Sequence, residues 1–365
     1  LFYFVLGASP ASLIPLNAAM HATSGILVIY LLRELGSGLL PAIAAASLWI
    51  LFPSSLQWVT QISKDGCFFA GMLAAILGWT MLLRHLKTGV CTATVYRGTG
   101  LLVCGILVAG VVRQFAFQLL LVPACAFALF SILQLIRNAR DGLPVPGQNM
   151  GIVAFAFIVP IALAVGPRDI RIEPAPIPSD MTAIGAAKTE ITAGKNWQNN
   201  PSVPEFVDRA LISLALARRA YGVVTYKSAG SMIDLDTQFF SAADVAAYMP
   251  RALQIGLLAP FPSQWFTHGA SPGGTAMRHI AGIEMLIIYP LLLLGLPLAA
   301  WRWRMHIEFW FLIGFCVYLI VAYAMVTPNL GSLYRMRYGY LMTLAAIGCV
   351  AILTKFQERL YRREP

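Results

Sequence analysis

Long, uninterrupted apolar runs constrain the fold of this chain more than any other feature of its sequence. Several approach 20 residues, the length that an α-helix needs to cross the hydrocarbon core of a bilayer. The runs do not alternate between apolar and polar residues, so they predict helices and not the strands of a membrane barrel. Only 12% of the 365 residues are charged, about half the usual share in a soluble domain. We therefore expect an all-α polytopic membrane protein.

The apolar runs predict about nine transmembrane helices, and the polar stretch between the sixth and seventh predicts a small extracytoplasmic domain. The fourth run is short, and GVVRQF joins it to the fifth, so these two are predicted as either a broken pair or a re-entrant hairpin. The approximate limits of the runs are 12–32, 38–56, 67–83, 99–112, 115–136, 150–166, 280–300, 308–326 and 338–354. The chain thus divides into N-terminal transmembrane helices (1–166), an extracytoplasmic domain with interfacial helices (167–279), and C-terminal transmembrane helices with a basic cytoplasmic tail (280–365).

Lysine and arginine are distributed unevenly between the predicted loops. If the first span ends in the cytoplasm, the short loops on that side carry most of the basic residues, as the positive-inside rule requires. The basic side chains of that side are Arg33, Arg84, His85, Lys87, Arg97, Arg137, Arg140, Arg302, Arg304, Lys355, Arg359, Arg362 and Arg363. Membrane topology thus accounts for the positive charge, and no nucleic acid is expected as a partner.

The stretch QISKDGCFFA places two charged residues in a tight loop on the predicted outer side. Asp65 opens the next helix, whose N-terminal dipole favours a carboxylate. There it could bind a metal or a sugar hydroxyl, and Lys64 could bind a phosphate. The alternative is a solvated turn.

Arg113 lies between two apolar runs with no acidic neighbour in sequence. An ionisable residue at this depth is a functional candidate, and arginine suits a phosphate or pyrophosphate bidentately. The alternative is that its side chain extends to the outer interface.

The stretch TPNLGSLYRMRYGYL combines two arginines with tyrosines on the predicted outer side. Arg335 and Arg337 are two residues apart, and Tyr338 is one of three interleaved tyrosines. Such a patch could bind the anionic head of a lipid-linked substrate. An interfacial anchor belt would explain the tyrosines but not both arginines.

Three further polar features have simpler interpretations beside functional ones: the start of the seventh span, His21, and the aspartate pair Asp234 and Asp236. Arg278 begins the seventh span and could bind phosphate, or it could pair with Glu284. His21 in the first span is predicted to be a packed, hydrogen-bonded residue. Asp234, together with a second aspartate two residues on, has the spacing of a metal pair but is predicted to form a turn.

Two stretches are similar to a known family. IPLNAAMHATSGILVIYLLRELG, followed by LPAIAAASLWILFPSSLQWVTQISKDGCFFAGMLAAILGWTML, resembles the multispanning glycosyltransferases of the C superfold. That superfold includes the dolichyl-phosphate-mannose mannosyltransferase and lipid A aminoarabinose transferase types. The shared elements are Asn17 and His21, Pro53, and the short loop with Asp65. SLYRMRYGYL resembles the arginine-rich outer loop before the last helix of bacterial members, so the resemblance covers roughly 10–85 and 325–355.

The resemblance implies transfer of a sugar from a polyprenyl-phosphate donor to a lipid, glycan or protein acceptor, at the outer face of a bacterial inner membrane. A lipid-linked sugar and membrane lipids are then the expected partners, with a divalent metal at Asp65 as one option for a cofactor. Asp65 would orient the acceptor or a metal, Lys64 and Arg113 would hold the donor phosphate, and Arg335 and Arg337 would hold the lipid-linked head. In this superfold the catalytic carboxylate usually lies in the first outer loop, which is expected upstream of residue 1.

Two other hypotheses remain open. A polysaccharide polymerase, ligase or export partner would also use outer arginines on a lipid pyrophosphate. A non-catalytic membrane subunit would instead bury them against a partner chain.

Overall fold

The computed structural model is helical, which confirms the all-α prediction. No strand occurs among the residues it describes, where only two isolated β-bridges are found. The described residues are 13–60, 64–88, 92–142, 147–165, 197–222, 231–269 and 272–361. The proline-rich first part of the predicted extracytoplasmic domain lies outside them.

Thirteen α-helices are numbered here in chain order over the described residues, and a π-helical turn at Leu291–Gly295 joins the tenth to the eleventh. Their bounds are α1 Ile14–Glu34, α2 Leu39–Leu51, α3 Pro53–Val59, α4 Asp65–Thr88, α5 Thr92–Val112, α6 Ala116–Arg140, α7 Gly147–Val165, α8 Glu205–Ala220, α9 Ala242–Leu258, α10 Pro272–Pro290, α11 Leu296–Arg302, α12 Ile307–Val326 and α13 Leu330–Tyr361.

The described part of the chain has eight spans long and apolar enough to cross a membrane, or nine if α2 and α3 form one bent span. The multi-pass architecture is therefore confirmed. The break lies at Pro53, where α2 and α3 are bent by 60°. A proline fits the first turn of a helix because its missing N–H needs no partner there.

The predicted irregularity around Arg113 is wrong. α5 is a full helix of 21 residues and α6 a separate helix of 25 residues. The apolar run began late because the first turns of α5 carry polar residues in TATVYRGTG.

The chain divides into two compact units. Unit 1 comprises Leu1–Arg168, Ile287–Cys316 and Gly339–Pro365, and unit 2 comprises Asp169–Leu286 and Val317–Tyr338. Segments from both ends of the chain thus contribute to unit 1, which contains α1 to α7.

Small residues let α4 and α5 of unit 1 pack with their backbones close together. A Cβ atom on Gly105 would lie 2.5 Å from the amide nitrogen of Ala75, and one on Gly78 would lie 2.5 Å from the carbonyl oxygen of Gly98. Close approach through small residues is a common way for membrane helices to associate. The antiparallel pair places the start of α4 beside the end of α5.

An aromatic cluster around Trp79 is buried within unit 1. This side chain is fully buried, and its ring lies 6.2 Å from that of Phe127, 5.7 Å from that of Phe311 and 5.8 Å from that of Phe315. Edge and tilted contacts at such distances stabilise aromatic pairs beyond the burial of their area.

Polar contacts at the opposite end of unit 1 agree with the predicted order of the spans. Arg84 donates to the backbone carbonyl of Glu34 at 2.7 Å and lies 3.1 Å from its carboxylate. The amide of Asn138 donates to the carbonyl of Leu86 at 2.7 Å. The ends of α1, α4 and α6, which the positive-inside rule assigned to one side, thus lie together.

In unit 2, backbone and side-chain hydrogen bonds fix the start of α13. The amide of Ile233 donates to the carbonyl of Pro328 at 2.9 Å. The side chain of Asn329 donates to the hydroxyl of Ser231 at 3.1 Å and accepts from the amide of Ser332 at 2.9 Å. The bond from the Ser332 amide to the Asn329 side chain is the usual cap of a helix N-terminus. α13 therefore begins before the arginines that were predicted to lie in an outer loop.

Candidate functional site

Asp65 and Arg113 form a salt bridge in unit 1, where α4 begins and α5 ends. One terminal guanidinium nitrogen of Arg113 donates to the carboxylate of Asp65. The side chain of Asp65 is 7% exposed and that of Arg113 is 17% exposed. The two residues thus lie at the same end of unit 1, as expected if they belong to one site. Each charge is compensated by the other, which buried charges require.

Two phenylalanine rings cover the guanidinium of Arg113. Its central carbon lies 5.1 Å from the ring centre of Phe68 and 5.8 Å from that of Phe115. The two rings are themselves 6.0 Å apart. Cation–π contact of this kind favours arginine, whose planar head can pair with a carboxylate and face a ring at once.

The backbone on both sides of the salt bridge is held by local hydrogen bonds. The amide of Arg113 donates to the carbonyl of Ala109 at 2.9 Å, and the amide of Ala116 donates to the carbonyl of Arg113 at 2.8 Å. In α4 the amide of Phe68 donates to the carbonyl of Lys64 at 3.1 Å. The Lys64 side chain is exposed, so the site combines a buried ion pair with an adjacent exposed cation.

Helix α1 passes close to the beginning of α4. A Cβ atom on Gly66 would lie 3.4 Å from the Cβ atom of Met20 and 3.7 Å from the carbonyl oxygen of Asn17. Both distances are ordinary van der Waals contacts, so a methyl group at this position would fit. Helix α1 therefore lies alongside the site without requiring a glycine after Asp65.

His21 is a packed residue, as predicted. Its Nε2 atom lies 3.4 Å from the carbonyl oxygen of Ile50, and its ring stacks on Trp49 at 6.0 Å. The Trp49 ring in turn meets the edge of Phe69 at 6.2 Å. His21 therefore supports the aromatic packing of unit 1.

Arg337 differs from its predicted role as a phosphate ligand. It has no exposed surface, and its guanidinium donates to the carbonyl of Ile255 at 2.7 Å and also to the carbonyls of Gly256 and Ala259. These carbonyls lie at the C-terminal end of α9, where the last backbone acceptors of a helix have no amide donor further along it; of the three, the Ile255 carbonyl also accepts from the Ala259 amide at 3.1 Å. A cation there also complements the helix dipole. The geometry assigns Arg337 to capping α9.

The predicted patch of arginines and tyrosines does not form on one face. In a helix, residues two apart point about 200° away from each other. Arg335 is partly exposed, whereas Arg337 and Tyr338 are buried. The tyrosine hydroxyl of Tyr334 donates to Glu284 at 2.6 Å. The prediction failed because it treated a helical segment as a loop.

Arg278 contacts the loop before its own helix. It donates to the hydroxyl of Thr267 at 2.7 Å and to the carbonyl of His268 at 2.9 Å. Its side chain is partly exposed, so an anion can still reach it.

Asp234 lies in a turn, as predicted, and it faces cations in place of a metal. Its backbone has a φ of 47°, and its carboxylate accepts from Arg251 at 2.9 and 3.2 Å and from the hydroxyl of Tyr248 at 3.1 Å. The hydrogen bond from Arg251 lowers the pKa of Asp234, and burial raises the pKa of Tyr248. The arrangement is that of a structural ion pair.

Arg218 is a buried arginine that the sequence did not single out. It is 4% exposed and donates to the carbonyls of Thr237, Met325 and Asp234 at 3.0, 3.0 and 2.7 Å. Its guanidinium also lies 4.7 Å from the ring centre of Tyr248. Nothing in the local sequence distinguishes Arg218 from the exposed Arg219, so no sequence signal could have found it.

The described residues do not fit a metal centre. No group of three or more His, Cys, Asp and Glu side chains within them is placed to hold an ion. The carboxylate of Asp65, the one predicted metal ligand, is paired with a guanidinium. We therefore derive no chemistry through a metal.

The fold and these contacts define the class of the protein as a multi-pass helical membrane protein with a partly buried ion pair at one end of its first helical unit. Comparison with protein-family models, curated proteins and solved structures gives no match that would narrow this class.

Proposed function

We propose that this protein is a glycosyltransferase of a bacterial inner membrane that takes a sugar from a polyprenyl-phosphate donor. The acceptor is a lipid, a glycan or a protein at the outer face of the membrane. One observation carries the proposal: exposed Lys64 adjoins the buried pair of Asp65 and Arg113 at the end of membrane-length helices.

The charge balance of this site favours an anionic ligand. Asp65 and Arg113 compensate each other, so Lys64 supplies the net positive charge. A lysine ammonium is a compact cation with three donors, and it suits a phosphate monoester. The end of a membrane span is also where the phosphate of a lipid whose chain lies in the bilayer would be found.

The aromatic residues beside the ion pair suit the remainder of such a donor. Phe115 is 43% exposed although it lies next to a charged site. An isoprenoid chain or the apolar face of a sugar can pack on such a ring. The site therefore combines a cation for the phosphate with apolar surface for its substituents.

The proposed chemistry is an in-line displacement at the anomeric carbon of the sugar. The oxygen of the acceptor hydroxyl forms a bond to that carbon, and the bond from the carbon to the phosphate oxygen breaks. The bonding electrons leave with the polyprenyl phosphate, and the Lys64 ammonium stabilises the negative charge that develops there. The proton of the acceptor hydroxyl passes to an oxygen of the departing phosphate, which leaves as a protonated monoester. The Asp65 carboxylate is buried and occupied by Arg113, so we assign it no proton transfer.

Binding of undecaprenyl phosphate to the purified protein in nanodiscs tests the proposal. Lys64→Gln should weaken binding about tenfold or more, because one charge-assisted contact to a phosphate is lost. Lys87→Gln is the matched control, since Lys87 lies near the end of α4 and Lys64 directly precedes its start, and this variant should bind as the unsubstituted protein does. Equal binding by the two variants would refute the proposal.

The same preparation separates the two rival functions. Preference for undecaprenyl diphosphate over the monophosphate would indicate a polymerase or ligase. Failure to bind either lipid would indicate a non-catalytic subunit. Release of sugar from a labelled polyprenyl-phosphate donor, dependent on Lys64 and on added envelope acceptors, would support the transferase.

A further inference from the structure

We propose that Arg113 is a positioning residue: it neutralises Asp65 and thereby keeps the Lys64 ammonium available to the lipid-linked phosphate, without touching that phosphate. This inference rests on the proposed function. It replaces the sequence-based prediction that Arg113 is itself a phosphate ligand.

The exposure of the three charged side chains is the first argument. Arg113 is directed towards Asp65, and the rings of Phe68 and Phe115 lie against its guanidinium. Only 17% of the Arg113 side chain is exposed, whereas Lys64 is an exposed residue. A phosphate arriving at this end of the unit therefore meets Lys64 first.

Asp65 and the phosphate compete for the Lys64 ammonium. Lys64 and Asp65 are consecutive, and the lysine stem is long and flexible. If Asp65 lost its guanidinium partner, its carboxylate would attract the Lys64 ammonium and repel an approaching phosphate. Arg113 removes both effects by holding the carboxylate in a buried salt bridge.

The packing of the helices fixes the position of Arg113 independently of any ligand. Its backbone lies in a tight turn between α5 and α6. α5 is held against α4 through the small residues Gly71, Gly105 and Ala109. The guanidinium is thus placed on Asp65 by the packing of the helices, as a positioning residue requires.

A double-mutant cycle distinguishes positioning from direct contact. The variants are Arg113→Gln, Asp65→Asn and the double variant, each assayed for undecaprenyl phosphate binding in nanodiscs. We expect Arg113→Gln to bind about tenfold more weakly and Asp65→Asn to stay within about threefold of the unsubstituted protein. The double variant should return to within about threefold, because no uncompensated carboxylate remains.

The contact hypothesis predicts the opposite result for the double variant. If Arg113 touched the phosphate, the double variant would bind as weakly as Arg113→Gln, and the inference would be overturned. Unchanged binding by folded Arg113→Gln would overturn it too. If Arg113→Gln does not fold, Asp65→Asn and the double variant are compared: equal affinity supports positioning, and weaker binding by the double variant refutes it.

Two controls keep the cycle specific. Arg84→Gln removes the salt bridge to Glu34 at the other end of α4 and should not change the affinity. Competition with phosphatidylglycerol and with inorganic phosphate separates a lipid-linked phosphate from other anions. Displacement by phosphatidylglycerol at the same concentration would contradict recognition of a lipid-linked phosphate.

This cycle and the Lys64 test fail in different ways. Loss of binding in Lys64→Gln without rescue in the double variant leaves the proposed function intact and refutes only the positioning role. Unchanged binding in Lys64→Gln refutes the proposed function itself.

Discussion

Substitution of Arg337 by methionine should destabilise unit 2 and leave the proposed phosphate site of unit 1 unaffected. Methionine keeps much of the length and volume of the side chain but removes its five N–H donors. It also removes the charge, so no uncompensated cation stays buried. The change therefore isolates the cap that Arg337 provides for α9.

The expected cost follows from the carbonyls that would lose their donor. The carbonyl of Ile255 also accepts from the amide of Ala259 at 3.1 Å, so it keeps a partner. The carbonyls of Gly256 and Ala259 lose the guanidinium. A buried acceptor without a partner costs about 1–3 kcal/mol, so we expect a loss of about 3 kcal/mol in the free energy of unfolding of this region.

Hydrogen exchange of the α9 amides measures this loss directly. A change of about 3 kcal/mol corresponds to a roughly hundredfold decrease in protection. Protection of the α9 amides in Arg337→Lys should lie between that of the unsubstituted protein and that of Arg337→Met, because a lysine cannot reach several carbonyls at once. Arg359→Met is the matched control: this arginine is exposed on the same helix, and the cost should stay within about 0.5 kcal/mol.

A different pattern would refute the capping role. If Arg337→Met kept the protection of α9 and lost undecaprenyl phosphate binding, Arg337 would be a ligand, as its sequence context suggested.

Three further predictions concern stability. Arg218→Met should lower the free energy of unfolding of unit 2 by about 3–5 kcal/mol, because the buried hydrogen-bond network around Arg218 loses its donor. Arg219→Met, at the exposed neighbour, should change it by less than about 0.5 kcal/mol, and hydrogen exchange of the α8 amides compares the two variants. The ion pair with Arg251 lowers the pKa of Asp234 in the folded state. The stabilisation of the fold by this ion pair is therefore complete above the ordinary carboxyl range and is lost as pH falls below about 4. Asp234→Asn, which tolerates the same backbone conformation, should remove that acid-sensitive component of unfolding. Gly105→Ala should lower the free energy of unfolding by about 1–3 kcal/mol, and with it the melting temperature, because the added Cβ overpacks the contact with α4. Gly100→Ala is the control and should cause no such loss, because no atom lies within 4 Å of its added Cβ.

Each comparison has an outcome that contradicts it. Equal losses of protection in Arg218→Met and Arg219→Met would mean that burial does not decide how much an arginine contributes to the stability of unit 2. An unchanged acid transition in the asparagine variant would place the titrating group elsewhere. Equal melting of the two alanine variants would mean that close backbone packing does not stabilise α4 against α5.

The general architecture could be predicted from sequence because its physical cause is local. A continuous apolar run must be helical in a bilayer, since every backbone polar group has to pair internally. The order of the spans then brings Asp65 and Arg113 to the same end, without any knowledge of packing. The small-residue contact between α4 and α5 determines how closely the two approach.

The break at Pro53 and the role of Arg337 could not be predicted in this way. Hydropathy does not distinguish a straight span from one bent by 60° at a proline. Polar residues concealed the helical start of α13, so two arginines on different faces were interpreted as one patch. The burial of Arg337 depends on the end of α9, which lies far from it in sequence.

Arg218 shows the same limit for unit 2. Its hydrogen-bond acceptors include the carbonyl of Met325, more than a hundred residues away in the chain. Two adjacent arginines are chemically identical and have the same helix propensity. Only tertiary contacts decide which of them is buried.

Photo-crosslinking with a diazirine analogue of undecaprenyl phosphate tests the central claim most directly. We expect the labelled peptide to include Lys64 and excess undecaprenyl phosphate to prevent the labelling. Lys64→Gln should abolish the labelling, whereas Lys87→Gln should not. Labelling confined to the Lys87 end of α4, or persisting unchanged in Lys64→Gln, would contradict this claim.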